Sequence, residues 1–147
     1  MSLQITEEYW TVSLAEIALD RLKGLLERYR QHLKLEFTIR AEAGLDLIEV
    51  EDSVLGEPYY LGEASMAQCQ LDVTCLNSGQ KTTGFCKIMK DSSAYAEAIA
   101  LSDALLRMDQ GYPELEALVE EGYQLRQKRL DARERILQQT QINFSRL

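Results

Sequence analysis

Hydrophobic positions change period twice along this 147-residue chain. Over residues 6–30, Trp10, Leu14, Ile17, Ala18, Leu22 and Leu25 recur at steps of three and four, one apolar stripe that predicts a helix. Gly24 weakens its later part, because glycine disfavours helix by about 1 kcal/mol relative to alanine. The middle of the chain then alternates. "KLEFTIR" predicts a first strand and "GLDLIEVED" a second, with Leu45, Leu47 and either Ile48 or Val50 available for a core. "EPYYLGE" predicts a third, shorter extended piece opening at Pro58.

The clearest alternation is "MAQCQLDVTCL", where Cys69, Leu71, Val73 and Cys75 face one way and Gln68, Gln70, Asp72 and Thr74 the other. "NSGQ" supplies a turn with Gly79 free to adopt positive φ, so "KTTGFCKIM" is expected to return antiparallel. In "KIMKDSSAYAEAIALSDALL" the period switches back to helical, with Tyr95, Ala98, Ile99, Leu101, Ser102 and Leu105 at buried spacing. "DQGYP" ends that helix. A last helix carries Glu114, Glu116, Glu120 and Glu121 early and Arg126, Lys128, Arg129, Arg133 and Arg135 late, the order the helix dipole favours. The expected fold is α+β: an N-terminal helix, an antiparallel meander of about four to five strands, and two C-terminal helices, in a single domain over residues 1–147.

Charge narrows the function classes. The net charge is −8, with ten basic against eighteen acidic residues in 1–113 and six against six in 114–147. Such a chain repels a phosphate backbone, which argues against nucleic-acid binding. No apolar run approaches the roughly 20 residues a bilayer crossing needs, and "MSLQITEEYW" has no basic n-region, so the expected compartment is the cytoplasm.

Candidate chemistry is sparse. One histidine and three cysteines without CxxC spacing argue against a zinc site. Cys69, Cys75 and Cys86 fit core packing, and His32 has no acid or Cys partner nearby in sequence. Glu49, Glu51 and Asp52 invite a Mg²⁺ or acid–base reading but fit the solvated face and end of a strand better. Arg126, Arg129 and Arg133 share one helical stripe, open either to solvent or to an acidic surface. At the strand-to-helix joint, Lys90 and the hydroxyls of Ser92 and Ser93 could meet an anion at the helix N-terminus. Asp91 is the expected N-cap instead.

Taken in order, these pieces resemble the PhnG family, small subunits of the bacterial carbon–phosphorus lyase system. The best-matching block is "YYLGEASMAQCQLDVTCLNSGQKTTGFCKIMKDSSAYAEAIALSDALL", whose Ala96-Glu97 and Asp103-Ala104-Leu105 lie where the family has Ala-Glu and Asp-Ala-Leu. Upstream, Arg40, Glu42, Gly44 and Leu45 in "IRAEAGL" match an Arg, Glu and Gly-Leu pattern, and Trp10, Leu14 and Ala15 match the N-terminal helix. At the end, Thr140, Ile142, Asn143 and Phe144 in "TQINFSRL" resemble a Thr-x-Val-Asp-Phe ending. The chain departs from the family at Met89-Lys90-Asp91, where a Gly-Arg-Asp is usual, at Glu51 and Asp52, where an arginine is, and in its tail at Gln141, Asn143 and Leu147. An ammonium in place of a guanidinium exchanges a bidentate fork for a point charge.

The resemblance implies a subunit that assembles with PhnH-, PhnI- and PhnJ-like partners in a two-fold symmetric complex. With PhnH-, PhnI- and PhnL-like proteins it supports displacement of adenine from ATP by a phosphonate, giving α-D-ribose 1-phosphonate 5-triphosphate. ATP with Mg²⁺ is then a substrate of the complex, and this chain alone binds no cofactor or metal. The contact or substrate-shaping candidates are Arg40, Glu42, Glu63, Lys90 and Asp91, without an assigned catalytic residue. The rival expectations are an adaptor outside phosphonate chemistry and a stand-alone enzyme using Glu63 or the Glu49–Asp52 cluster.

Overall fold

The computed structural model describes residues 3–140. A 3₁₀ turn, Glu7–Tyr9, leads into α1 (Trp10–Leu14) and α2 (Leu19–Arg30). Three long strands follow, β1 (Leu33–Glu51), β2 (Pro58–Cys75) and β3 (Lys81–Ile88), then α3 (Ser93–Leu106) and α4 (Pro113–Gln139). The sheet runs β1-β2-β3 with both pairings antiparallel, so the fold is α+β. Among the described residues no helix is long and apolar enough to cross a membrane.

Two boundaries differ from those the pattern predicts. The single N-terminal helix is broken at Ala15–Ala18, although its stripe is buried: Trp10, Leu14, Ile17, Leu22 and Leu25 are in the core and only Ala18 is exposed. The break is held by distant residues, Lys90 Nζ donating to the Ala15 carbonyl at 2.8 Å and the Tyr95 hydroxyl to that of Ile17 at 2.7 Å. The meander has three strands, because "KLEFTIR" and "GLDLIEVED" are one strand and "EPYYLGE" runs on into "MAQCQLDVTCL". β1 absorbs its irregularity in register shifts between Phe37 and Ile39, and between Ile39 and Glu42. A bulge bends a strand without ending it.

The core lies between the sheet and the helices. Cys69, Leu71 and Val73 of β2 and Cys86 of β3 point at Ile99 and Leu105 of α3, with Leu14, Leu22, Leu115 and Val119 closing the other side, all at 0% exposure. Two glycines set how near the elements come. A Cβ on Gly84 would strike the Ala100 carbonyl of α3, and one on Gly122 the Ser13 carbonyl of α1. Turns are built as their residues dictate: Gly79 at φ +73° between β2 and β3, and Gly111 at φ +70° after α3.

Beyond the level of Ala67, whose β3 neighbour is Ile88, β2 has lost its third strand. β1 and β2 continue as a two-stranded arm from the Ala43–Ala67 pair to the Glu51–Pro58 pair. Leu45 and Leu47, available for a core by pattern, are exposed there, as is Ile48 of the alternatives Ile48 and Val50, and among the described residues no helix reaches over that part of the sheet.

Candidate functional site

The joint between β3 and α3 is fully engaged by the fold. α3 starts at Ser93, and its N-cap is Ser92, in extended backbone with its hydroxyl accepting the Tyr95 N–H at 3.3 Å. Asp91 is therefore not the cap: it lies one residue too early, exposed to solvent. Lys90 places its ammonium 4.0 Å above the Tyr95 ring while it donates to the Ala15 carbonyl at the end of α1. Both partners suit a cation, the carbonyl through its partial negative charge and the ring through its quadrupole. An anion at this helix N-terminus would have to compete for that ammonium.

The other candidates occupy separate faces. Arg40 lies in the bulged part of β1, exposed and without an ion pair among the described residues. Glu42 accepts the Gln68 amide at 2.5 Å on the sheet face turned away from the helices. Beside it is a groove of about 270 Å³, whose walls include Glu42, Asp46, Met66, Gln68 and Lys87. Lys87 closes on Asp46 at 2.7 Å, so the groove's ammonium is already neutralised by a carboxylate. Glu63 stands further out, opposite Leu47 in the arm and on the other face. At about 3.3 Å per residue, five residues put Glu63 roughly 17 Å along the strand from the Glu42 level. Glu42 and Glu63 therefore do not share a pocket.

Of the Glu49, Glu51 and Asp52 cluster, Asp52 shapes the arm's turn. Its carboxylate accepts the N–H groups of Val54 and Leu55 at 2.8 Å each, and Gly56 completes the reversal at φ +66°. Those backbone donors, Leu55 first, hold the Asp52 carboxyl below its usual range. Among the described residues no group of three or more His, Cys, Asp or Glu is placed to hold a metal ion. Burial pushes the Cys69 thiol up to about 11 and Cys86 up to about 12, far from the thiolate a nucleophile needs. Cys75 is drawn down to about 7, chiefly by the Ser78 hydroxyl, and its sulfur faces the Gln110 amide oxygen at 3.5 Å. His32 is exposed in the short turn before β1, its carbonyl accepting the Leu76 N–H. In α4, Arg129 pairs with Glu16 at 2.6 Å and Arg126 lies over Tyr9, so part of the basic stripe meets the protein's own acidic body.

Asp103 is the polar residue that pattern reading passes over. It is 7% exposed, accepts the Phe85 N–H at 3.1 Å and receives Arg107 at 3.0 Å. Arg107 extends the chain of charges to Glu7 at 2.8 Å and lies over Trp10. The set ties the N-terminal turn, α3 and β3 together. Its signal in the sequence was an acid inside the apolar run "AIALSDALL".

The C-terminal positions Gln141, Ile142, Asn143, Phe144 and Leu147, used above for the resemblance, lie outside the described residues. Comparison with curated proteins finds no match. The family model for phosphonate metabolism protein PhnG matches residues 6–147, nearly the whole sequence, and the chain belongs to the PhnG family.

Proposed function

We propose that this protein is a cytoplasmic, non-autonomous subunit of the carbon–phosphorus lyase core complex. It supports the ATP-dependent formation of α-D-ribose 1-phosphonate 5-triphosphate, with release of adenine, together with PhnH-, PhnI-, PhnJ- and PhnL-like proteins. ATP with Mg²⁺ enters as a substrate of the assembled complex. The observation that carries the reading is the family match over residues 6–147. Arg40, Glu42, Glu63, Lys90 and Asp91 are the contact or substrate-shaping candidates of this reading.

A second reading, a PhnG-like adaptor outside phosphonate chemistry, takes its support from Lys90. The residue standing where the family has an arginine spends its charge on Ala15 and Tyr95. One experiment separates the two. The gene is deleted from a strain carrying the full phosphonate system, and growth on methylphosphonate is measured. Loss of growth, restored by the wild-type gene, is expected, with the product recovered in a complex with the PhnH, PhnI and PhnJ partners. Unimpaired growth would reject the phosphonate role and leave the adaptor.

A further inference from the structure

The arm is an apolar surface that nothing in the described chain covers. A two-stranded hairpin alone is at best marginally stable in water, yet β1 and β2 stay paired over eight residues of β1, Gly44 to Glu51, beyond the sheet's third strand. Along it Leu45, Leu47, Leu55, Tyr59, Tyr60 and Leu61 are exposed, Leu55 at 72% and Leu61 at 66%. Exposed apolar side chains gathered on one element mark interaction sites, and tyrosine is enriched where partners meet.

Charge identifies the occupant. Residues 41–66 contain seven acids and neither lysine nor arginine, in a chain whose net charge is −8. A second copy's arm brings the same seven negative charges and is repelled. The exposed end of α4 is no better a match, since residues 130–139 set Arg133 and Arg135 against Asp131 and Glu134. Nucleic acids and anionic membranes are disfavoured for the same reason. What fits is a surface that is apolar where the leucines and tyrosines land and basic around them. The arm is about 26 Å long at 3.3 Å per residue, and with both faces gripped it offers several hundred Å², toward the roughly 800 Å² per partner of a stable interface.

We infer that the arm is the docking element of this chain, and that its occupant is a different polypeptide with an apolar groove rimmed by lysine and arginine. The inference rests on the subunit reading above and assigns the surface through which assembly occurs. The arm lies outside the helix-covered core, so its side chains can be changed with little effect on the fold.

The test uses the full chain co-expressed with the PhnH, PhnI and PhnJ partners, with complex formation measured by size-exclusion chromatography and light scattering. One variant combines Leu47→Ser, Tyr60→Ser and Leu61→Ser; another combines Glu49→Lys and Glu63→Lys. Both are expected to bind the partners at least tenfold more weakly while keeping the wild-type unfolding midpoint, and wild-type binding is expected to weaken as salt is raised. Hydrogen exchange on the wild-type complex gives a readout that needs no variant: amides at 43–51 and 58–66 become protected on assembly. Wild-type protein that assembles with an unprotected arm, or arm variants that assemble as well as wild type, would overturn the inference and leave the subunit reading standing. Wild-type protein that stays out of every complex would overturn both. A dimer of the chain alone that the arm variants abolish would assign the surface to a second copy and also overturn it.

Discussion

The two halves of β2 make an internal experiment. From Ala67 to Cys75 every second residue is buried, with Cys69, Leu71 and Val73 at 0% exposure; upstream of Ala67 the same strand has no buried residue. Both halves carry apolar side chains, and both are hydrogen-bonded to β1. The difference is what lies above them: α3 crosses the first half, and nothing in the described chain crosses the second. Strand pairing thus outruns the core. The covered half owes its burial to tertiary packing, and the arm keeps its strand form with that packing withheld.

Glycines break the comparison most sharply. Gly84 and Gly122 sit where an added Cβ meets backbone carbonyl oxygen, of Ala100 and Ser13 respectively. Backbone cannot rotate away as a side chain can, so Gly84→Ala and Gly122→Ala are each expected to cost about 4 kcal/mol, at or above the usual range for overpacking. For a chain of this size that lowers the melting temperature by roughly 10 °C or more. Gly44 and Gly62 in the arm have open space at the same position. Gly44→Ala and Gly62→Ala should change stability by less than about 1 kcal/mol in either direction. Thermal unfolding of the four variants decides it, and four equal shifts would show that the arm is packed after all.

Leucine truncation asks the same question through burial. Leu71→Ala empties a site at 0% exposure and should cost about 3 kcal/mol, the transfer loss plus the unfilled cavity. Leu47→Ala removes a side chain that is 57% exposed and should cost less than about 0.5 kcal/mol. Urea midpoints at constant m give both numbers, and a Leu47→Ala cost near that of Leu71→Ala would contradict an uncovered arm.

These positions also show what the sequence made legible. The alternation of "MAQCQLDVTCL" located the core strand residue by residue, because period two fixes which side chains share a face. The same logic placed Leu45 and Leu47 in a core and failed, since alternation reports a face and is silent on whether a helix covers it. The strands are fewer than alternation predicts because β1 runs on through bulges at Ile39 and Glu42. The helix break at Ala15–Ala18 is held by Lys90 and Tyr95, more than 70 residues away, and the role of Lys90 is set in turn by the distant Ala15 carbonyl. The Asp91 cap missed by one position, within the ordinary blur of helix ends. Among the site candidates, the family resemblance marked Glu42 and Lys90, but only their partners Gln68, Ala15 and Tyr95 say what they do.

Acid and base should act on the two halves differently. In the covered half, burial raises the Cys69 and Cys86 thiols from the ordinary 9.0 to about 11 and about 12. Above pH 9 the unfolded chain loses these protons first and binds fewer than the native state, so stability falls as pH rises from about 9 to about 12. Cys86→Ala should flatten part of that fall in urea midpoints taken at pH 8 and pH 10.5. The arm's turn has the opposite sign. Asp52 is held below its usual range, so its contribution is present above the unfolded value and is lost as pH falls through the lower folded one. The protection factors of the Val54 and Leu55 amides, whose N–H groups it accepts, should fall as Asp52 is protonated, while those of the core amides hold.

The smallest effect tests whether the covered half is held by shape or by polar bonds. Ser13 is wholly buried in the α1–α4 contact, facing Gly122, and its hydroxyl has no hydrogen-bond partner among the described residues. An unmade bond at a buried hydroxyl costs on the order of 1 kcal/mol or more, and replacing the group by an apolar atom of like size removes that penalty. Ser13→Ala is therefore expected to be neutral or to stabilise by up to about 1 kcal/mol, seen as a slightly higher urea midpoint. The small side chain is needed so that the two helices can close, which alanine also permits. If Ser13→Ala instead lowered the midpoint by an amount typical of a lost hydrogen bond, about 1 kcal/mol, the hydroxyl would have a partner and the helix contact a polar component. A neutral result, beside the large penalty expected at Gly122, would show that close approach of the backbones holds α1 to α4.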